Sequence, residues 1–133
     1  MNTRIGHGFD VHGFTEGDGF VLGGVPIADR RSLQAHSDGD VLIHAFCDAI
    51  LGALGAGDIG QLYPDSDPGN ANRDSREFLR DVASRAARAG FRLGMFNFTL
   101  LIALHLMTSN RLTCSWSTSW SSVFPEALQP LSW

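Results

Sequence analysis

The sequence predicts one domain of mixed strands and helices, in the order strand, strand, helix, helix, strand. Three observations carry this reading. Apolar residues alternate with period two near the N-terminus. Two later stretches repeat apolar residues at three- and four-residue spacing, between capping residues and glycines. The length of 133 residues suits one domain and would cramp two.

The first predicted strand is Arg4 to His12. Ile5, His7, Phe9 and Val11 alternate with Arg4, Gly6, Gly8, Asp10 and His12, so Asp10 and His12 project from one face. Glycine inside a strand marks a close approach to the backbone, as at Gly6 and Gly8. His7 points away from Asp10 and reads as a core or subunit-contact residue. Phe20 to Ile27 reads as a strand with a bulge or sharp turn at Gly23-Gly24, and residues 28–37 read as loop. In the first helix Ser37 can cap, with Asp40 three residues on. Leu42, Ala45, Phe46, Ala49 and Ala53 form its stripe, while Asp40, His44 and Asp48 share another face. Gly55 and Gly57 end it. Asp58 to Pro68 is a loop rich in Gly, Pro and Asp. The second helix is Asp74 to Ala89, with Asp74 and Glu77 as a capping box and Gly90 beyond its end. Leu79, Val82, Ala86 and Ala89 face inward, and Arg85 and Arg88 suit the negative end of the dipole. Phe91 to Ala103 is the third predicted strand.

Composition excludes several classes of function. Hydrophobic residues make up 44 % and charged residues 18 %, which is not a disordered chain. The net charge is −4 and all ten basic residues are Arg, without a basic stripe. That argues against nucleic acid or an anionic membrane as the main partner. Cys47 and Cys114 cannot make a disulfide framework, so a reducing cytoplasm is expected. Phe98 to Met107 is too short and interrupted to span a bilayer. The N-terminus has no apolar secretion core, so the Asn97-Phe98-Thr99 sequon carries no weight.

Asp10, His12 and His44 make the leading chemical constellation. One carboxylate and two imidazoles are a three-ligand set for a divalent transition metal, most often zinc, with a position left open. By spacing alone they are equally ordinary polar residues at a strand end and on a helix face. His36 and Ser37 sit where a helix begins and could hold phosphate oxygens; taken alone, Ser37 is a cap and His36 a loop residue. Asp58, Asp65 and Asp67 could bind substrate hydroxyls or a hard cation, but turns use the same residues and the spacing is not that of an EF-hand. Cys47 lacks a base and reads as packing.

Together the motifs are more specific. Arg4-Ile5-Gly6-His7-Gly8-Phe9-Asp10-Val11-His12, Leu22-Gly23-Gly24-Val25-Pro26-Ile27 and Ala35-His36-Ser37-Asp38-Gly39-Asp40-Val41-Leu42-Ile43-His44-Ala45 occur in that order. Gly57-Asp58-Ile59-Gly60, Pro64-Asp65-Ser66-Asp67 and Asp74-Ser75-Arg76 follow. In this order, from Arg4 to about Ala103, the chain closely resembles the 2-C-methyl-D-erythritol 2,4-cyclodiphosphate synthases of non-mevalonate isoprenoid synthesis. The resemblance implies an α+β domain with helices packed on one face of a mixed β-sheet, and a homotrimer with active sites between subunits. It implies conversion of 4-diphosphocytidyl-2-C-methyl-D-erythritol 2-phosphate to the cyclic diphosphate with release of CMP. By the same resemblance Asp10, His12 and His44 are zinc ligands, and His36 and Ser37 contact phosphate, with His36 catalytic. Asp58, Ile59, Gly60, Tyr63, Pro64, Asp65, Ser66 and Asp67 hold the methylerythritol end. Phe is usual where Tyr63 stands. Magnesium or manganese is implied at a second site, and the bacterial cytoplasm or a plastid stroma as the compartment. Two other readings remain. One is a catalytically impaired metal- and phosphate-binding remnant. The other is a metal-dependent phosphohydrolase, with Asp40 or Asp48 as its base.

The resemblance stops near residue 103. The family continues with an Ala-Gln-Ala-Pro-Lys segment and later a Lys-Ala-Thr-Thr-Thr-Glu-Lys-Leu-Gly run, and this chain has neither. Thr108 to Trp133 instead holds seven Ser and all three Trp, and the chain ends early for the family. We therefore divide it into a synthase-like part, 1–103, and an atypical segment, 104–133, which reads as a shifted reading frame, the alternative being a divergent but functional C-terminus. Such a chain is expected to be poorly soluble or weakly active. Resequencing the gene tests the frame: a single insertion or deletion near codon 104 should restore both missing motifs, and their absence from every frame would refute it.

Overall fold

The computed structural model of the chain describes residues 3–99. They form an α+β unit in which short strands precede the helices. The strands are β1 (Phe14–Glu16), β2 (Phe20–Leu22), β3 (Val25–Ile27) and β4 (Arg31–Leu33), and the helices α1 (Val41–Leu54), α2 (Ile59–Leu62) and α3 (Ser75–Arg88). The expected domain boundary at 103 and the frameshifted tail lie outside the described residues.

Two antiparallel ribbons are nested. β2 pairs with β3 through Leu22 opposite Val25, leaving Gly23-Gly24 as a two-residue turn. Both glycines have positive φ, 59° and 77°, as the tight hairpin turn that matches strand twist requires. The sharp turn expected there is thus a full reversal. β1 pairs with β4 outside it, with Phe14 opposite Leu33. β4 corrects the expectation of loop over residues 28–37. Its signal was hidden because the partner strand lies on the far side of the hairpin.

Residues 3–13 and 91–99 carry no strand, although strands are predicted over 4–12 and 91–103, the last four residues of which lie outside the described range. The N-terminal alternation survives without a ladder. Phe9 and Val11 are 73 % and 72 % exposed, whereas Gly8, Asp10 and His12 are half-buried. His7 is exposed, so the core alternative for it is overturned. This segment lies along α1. Arg4 donates to the carbonyls of Ala53 and Leu54 at 3.3 Å each, beyond the glycines. A Cβ on Gly6 would sit 1.8 Å from the Ala49 carbonyl oxygen, and one on Gly8 1.7 Å from that of Ala45. The predicted α1 stripe therefore splits in two. Ala45, Ala49 and Ala53 form a shallow face under the N-terminal segment, while Ile43, Phe46, Cys47, Ile50 and Leu51 face the core.

The core lies between α1 and α3, where Phe78, Leu79, Val82, Ala83 and Ala86 meet the α1 residues. Ala89, expected inward, is exposed because α3 ends at Arg88 and Ala89 caps it. Leu93, Phe96 and Phe98 close the core, with Phe46 at 5.0 Å and 5.2 Å from the two Phe rings. Asp40, not Ser37, caps α1: its carboxylate accepts from Ile43 N–H at 3.1 Å. Gly55, with φ 68°, closes its C-terminus as expected. Among the described residues no helix is long and apolar enough to cross a membrane.

Gly8→Ala should cost about 1–3 kcal/mol by overpacking, because the clashing atom belongs to the α1 backbone and cannot turn aside. Urea unfolding reads this; an unchanged midpoint would show that the segment is not held against α1.

Candidate metal centre

Asp10 and His12 come from the N-terminal segment and His44 from the second turn of α1. Asp10 Oδ2 lies 3.1 Å from His44 Nδ1 and 3.2 Å from His12 Nε2. His12 Nε2 and His44 Nδ1 are 3.5 Å apart. Among the described residues this is the one group of three such side chains able to hold an ion. The spacing can be tested against coordination chemistry. Two bonds of about 2.0–2.1 Å at a tetrahedral angle place their donors about 3.3 Å apart. The three observed edges bracket that value, so the donors fit a zinc-sized tetrahedral site with one position left over.

Burial pushes the Asp10 carboxyl up, but the His44 hydrogen bond and the two imidazoles outweigh it and hold it below the ordinary value. Behind the donors, His44 Nε2 lies 2.8 Å from Ser75 Oγ and 3.2 Å from Ser37 Oγ. Ser75 Oγ–H donates to Asp38 Oδ1, and Ser75 N–H donates to Asp38 Oδ2 at 3.0 Å. Ser75 was not singled out as a site residue. Its sequence signals are its place after the cap Asp74, which reads as a helix start, and its membership of the Asp74-Ser75-Arg76 motif, neither of which assigns it a role.

The other expected site residues divide by what their side chains already hold. His36 Nδ1 lies 3.6 Å from Asp65 Oδ2, and both side chains are exposed, so two candidate segments meet there. Asp58 caps α2 and accepts from Gln61 N–H and Nε2–H at 2.8 Å and 2.7 Å. Ile59 N–H is held at 2.7 Å by Asp48, and Gly60 is exposed on α2. Tyr63 stacks on Phe78, with ring centroids 4.5 Å apart, and its hydroxyl donates to Asp81. Pro64, Ser66 and Asp67 are exposed; the Pro64 carbonyl accepts from Asp67 N–H at 3.0 Å, and Asp67 Oδ1 from Gly69 N–H at 2.9 Å.

Asp40 was a candidate base for a phosphohydrolase. It is fully buried, and its carboxylate accepts from Gly23 N–H at 2.8 Å, Gly24 N–H at 2.6 Å and Ile43 N–H. It is a structural anchor, out of reach of water. Burial pushes Asp48 up, although the Ile59 amide works the other way. Cys47 is fully buried, and burial pushes its thiol far up, so it packs and does not react.

The profile of the YgbB family matches residues 3–113. The chain is 52 % identical over 100 residues to a 2-C-methyl-D-erythritol 2,4-cyclodiphosphate synthase of Thioalkalivibrio sulfidiphilus, covering 75 % of this chain and 62 % of that one. It is 48 % identical over 109 residues to the protein of that name in Cellvibrio japonicus, covering 82 % and 69 %. A solved structure of a 2C-methyl-D-erythritol-2,4-cyclodiphosphate synthase in a CDP-bound form superposes with a TM-score of 0.61 at 44 % identity, over 65 % of this chain and 58 % of that one. The match thus spans just under two-thirds of the first relative's length.

The Tyr63 hydroxyl is spent on Asp81. Burial raises the Asp81 carboxyl, but the Tyr63 and Arg85 hydrogen bonds prevail and lower it below 3.8. A lowered carboxyl stabilises the fold above its unfolded pKa, and that stability is lost as pH falls through the folded value. Tyr63→Phe should therefore cost about 1 kcal/mol at pH 7 and leave any activity intact. The difference from wild type should close below the Asp81 pKa. Thermal unfolding across pH 2–7 checks this; a loss that persists unchanged at pH 2 would refute it.

Proposed function

Because this chain belongs to the YgbB family, the 2-C-methyl-D-erythritol 2,4-cyclodiphosphate synthases, we propose that it carries out their metal-dependent phosphoryl transfer. The substrate is 4-diphosphocytidyl-2-C-methyl-D-erythritol 2-phosphate. An oxygen of its 2-phosphate bonds to the diphosphate phosphorus nearer the methylerythritol. The bond from that phosphorus to the bridging oxygen breaks, and CMP leaves with the oxygen. No water enters, which makes the step a lyase reaction of isoprenoid synthesis. The observation that carries this reading is the Asp10, His12 and His44 triangle, with donor edges of 3.1, 3.2 and 3.5 Å.

Those three residues would hold the metal, zinc by their donor set, which supplies Lewis-acid polarisation of a phosphoryl oxygen when bound. The remaining work is positioning and charge, since both reacting phosphates belong to one molecule. Ser37 stands beside His44 and presents a hydroxyl. His36 precedes it, exposed and facing Asp65, where an imidazole can donate to phosphoryl oxygens. Asp58, Ile59 and Gly60 offer backbone and carboxylate groups at the start of α2. With Tyr63 turned inward, Pro64, Asp65, Ser66 and Asp67 form the exposed stretch for the sugar hydroxyls. Magnesium or manganese at a second site would supply further positive charge against the phosphates. A solved relative binds CDP, which supports a cytidine nucleotide as the leaving half.

We place the working form as a cytoplasmic homotrimer, or a stromal one in a plastid-bearing source. Ile5, Phe9 and Val11 are 91 %, 73 % and 72 % exposed on one alternating face, an apolar strip suited to subunit contact. We assign the site to the synthase-like part, residues 1–103, and no site residue to 104–133.

The test is CMP release from the cytidyl diphosphate substrate with zinc and magnesium. Activity should sediment with a trimer and fall at least about 10²-fold in His44→Ala, the size expected when several kcal/mol of metal stabilisation is lost. Turnover that survives both His44→Ala and chelation would refute the reading.

A further inference from the structure

We infer that Ser75, backed by Asp38, is a positioning residue for His44: it takes the ring's Nε2–H and so turns Nδ1 toward Asp10 and His12. The inference rests on the metal reading above and adds two residues to it.

The argument is a count of protons. Ser75 is fully buried, so water cannot supply its bonds. A hydroxyl has one hydrogen to give, and Ser75 gives it to Asp38 Oδ1. A carboxylate only accepts, and Asp38 is fixed in orientation because its other oxygen accepts from the Ser75 backbone N–H at 3.0 Å. With its proton committed, Ser75 Oγ can only accept across the 2.8 Å to His44 Nε2. With zinc bound, the Nδ1–H bond to Asp10 gives way and the ring hydrogen sits on Nε2, leaving Nδ1, 3.1 Å from Asp10 Oδ2 and 3.5 Å from His12 Nε2, to offer its lone pair beside them. Histidine ligands are commonly oriented by a bond to their other nitrogen.

Ser37 Oγ is the competing partner of Nε2, at 3.2 Å, and it also accepts from Gly39 N–H at 3.3 Å. It is the longer contact and half-exposed, whereas Ser75 is sealed in. The two hydroxyls divide the work: Ser75 holds the ring, and Ser37 is free to turn to an incoming phosphate.

The experiment measures zinc affinity of the full chain by chelator competition, and the imidazole ¹H–¹⁵N correlation of His44 in zinc-loaded protein. Ser75→Ala should weaken zinc about 10–100-fold and abolish the protected Nε2–H signal. Ser75→Thr, which keeps the hydroxyl, should recover both. Asp38→Asn is the second variant. Asp38 Oδ1 also accepts from Asp40 N–H at 3.3 Å, so in either orientation the new amide sets its NH₂ against a backbone N–H, and the hold on the Ser75 hydroxyl is weakened. Zinc affinity should fall as in Ser75→Ala, though side-chain size is unchanged. Wild-type affinity in both Ser75→Ala and Asp38→Asn overturns the inference, and so does a loss with the Nε2–H signal unchanged. A wild-type chain that takes up no zinc overturns the metal reading and this inference with it.

Discussion

Two missing Cβ atoms bring the N-terminal segment into contact with the backbone of α1. At Gly6 and Gly8 any side chain would drive into the carbonyls of Ala49 and Ala45. The small side chains of Ala45, Ala49 and Ala53 leave that face of the helix low. The segment therefore crosses α1 at contact distance, and the period of two carries Asp10 and His12 toward the same helix. His44, one residue before Ala45, stands where they arrive. The triangle of donors is thus a consequence of backbone proximity, and residues 34 apart in sequence meet because nothing separates their main chains.

A second constraint fixes the helix itself. The first turn of a helix leaves N–H groups without partners. Here Asp38 and Asp40 satisfy them for two helices at once. Asp40 caps α1 and also holds both turn amides of the β2–β3 hairpin, while Asp38 holds the first amide of α3. A buried carboxylate such as Asp40 is tolerated only when fully hydrogen-bonded, and three N–H donors meet that condition. The hairpin, α1 and α3 are pinned at one junction, and His44 is one helical turn from it.

The proposed chemistry suits this architecture. A transfer between two phosphates of one molecule needs a held geometry and placed charge more than a reactive side chain. The candidate ligands Asp10, His12 and His44 sit on a pinned helix and a segment tied to it. The exposed stretch from Pro64 to Asp67 meets the loop before α1 through His36 and Asp65. The thiol and the buried carboxylate that could have suggested other chemistry are both withdrawn into the fold.

Much of this could be read from the chain. The helix ends followed from Asp74, Gly55 and Gly90, because capping and left-handed backbone depend on residues next to one another. The shared face of Asp10 and His12 followed from strand geometry, and the ordered motifs identified the family. The site's inner wiring could not be read in the same way. Nothing local distinguishes Ser75 from any helix-opening serine, or says that Asp40 rather than Ser37 caps α1. β4 looked like loop because its partner precedes the hairpin. Pairing of residues 3–13 and 91–99 was expected from their pattern, yet a pattern gives the face a side chain takes and not the neighbour that bonds the backbone. The sequence alone determined which residue types were present and which faces they shared. Tertiary structure decided which nitrogen of His44 faces the other donors, because that depends on hydrogen bonds spanning 31 to 37 residues, and such bonds leave no period in the chain.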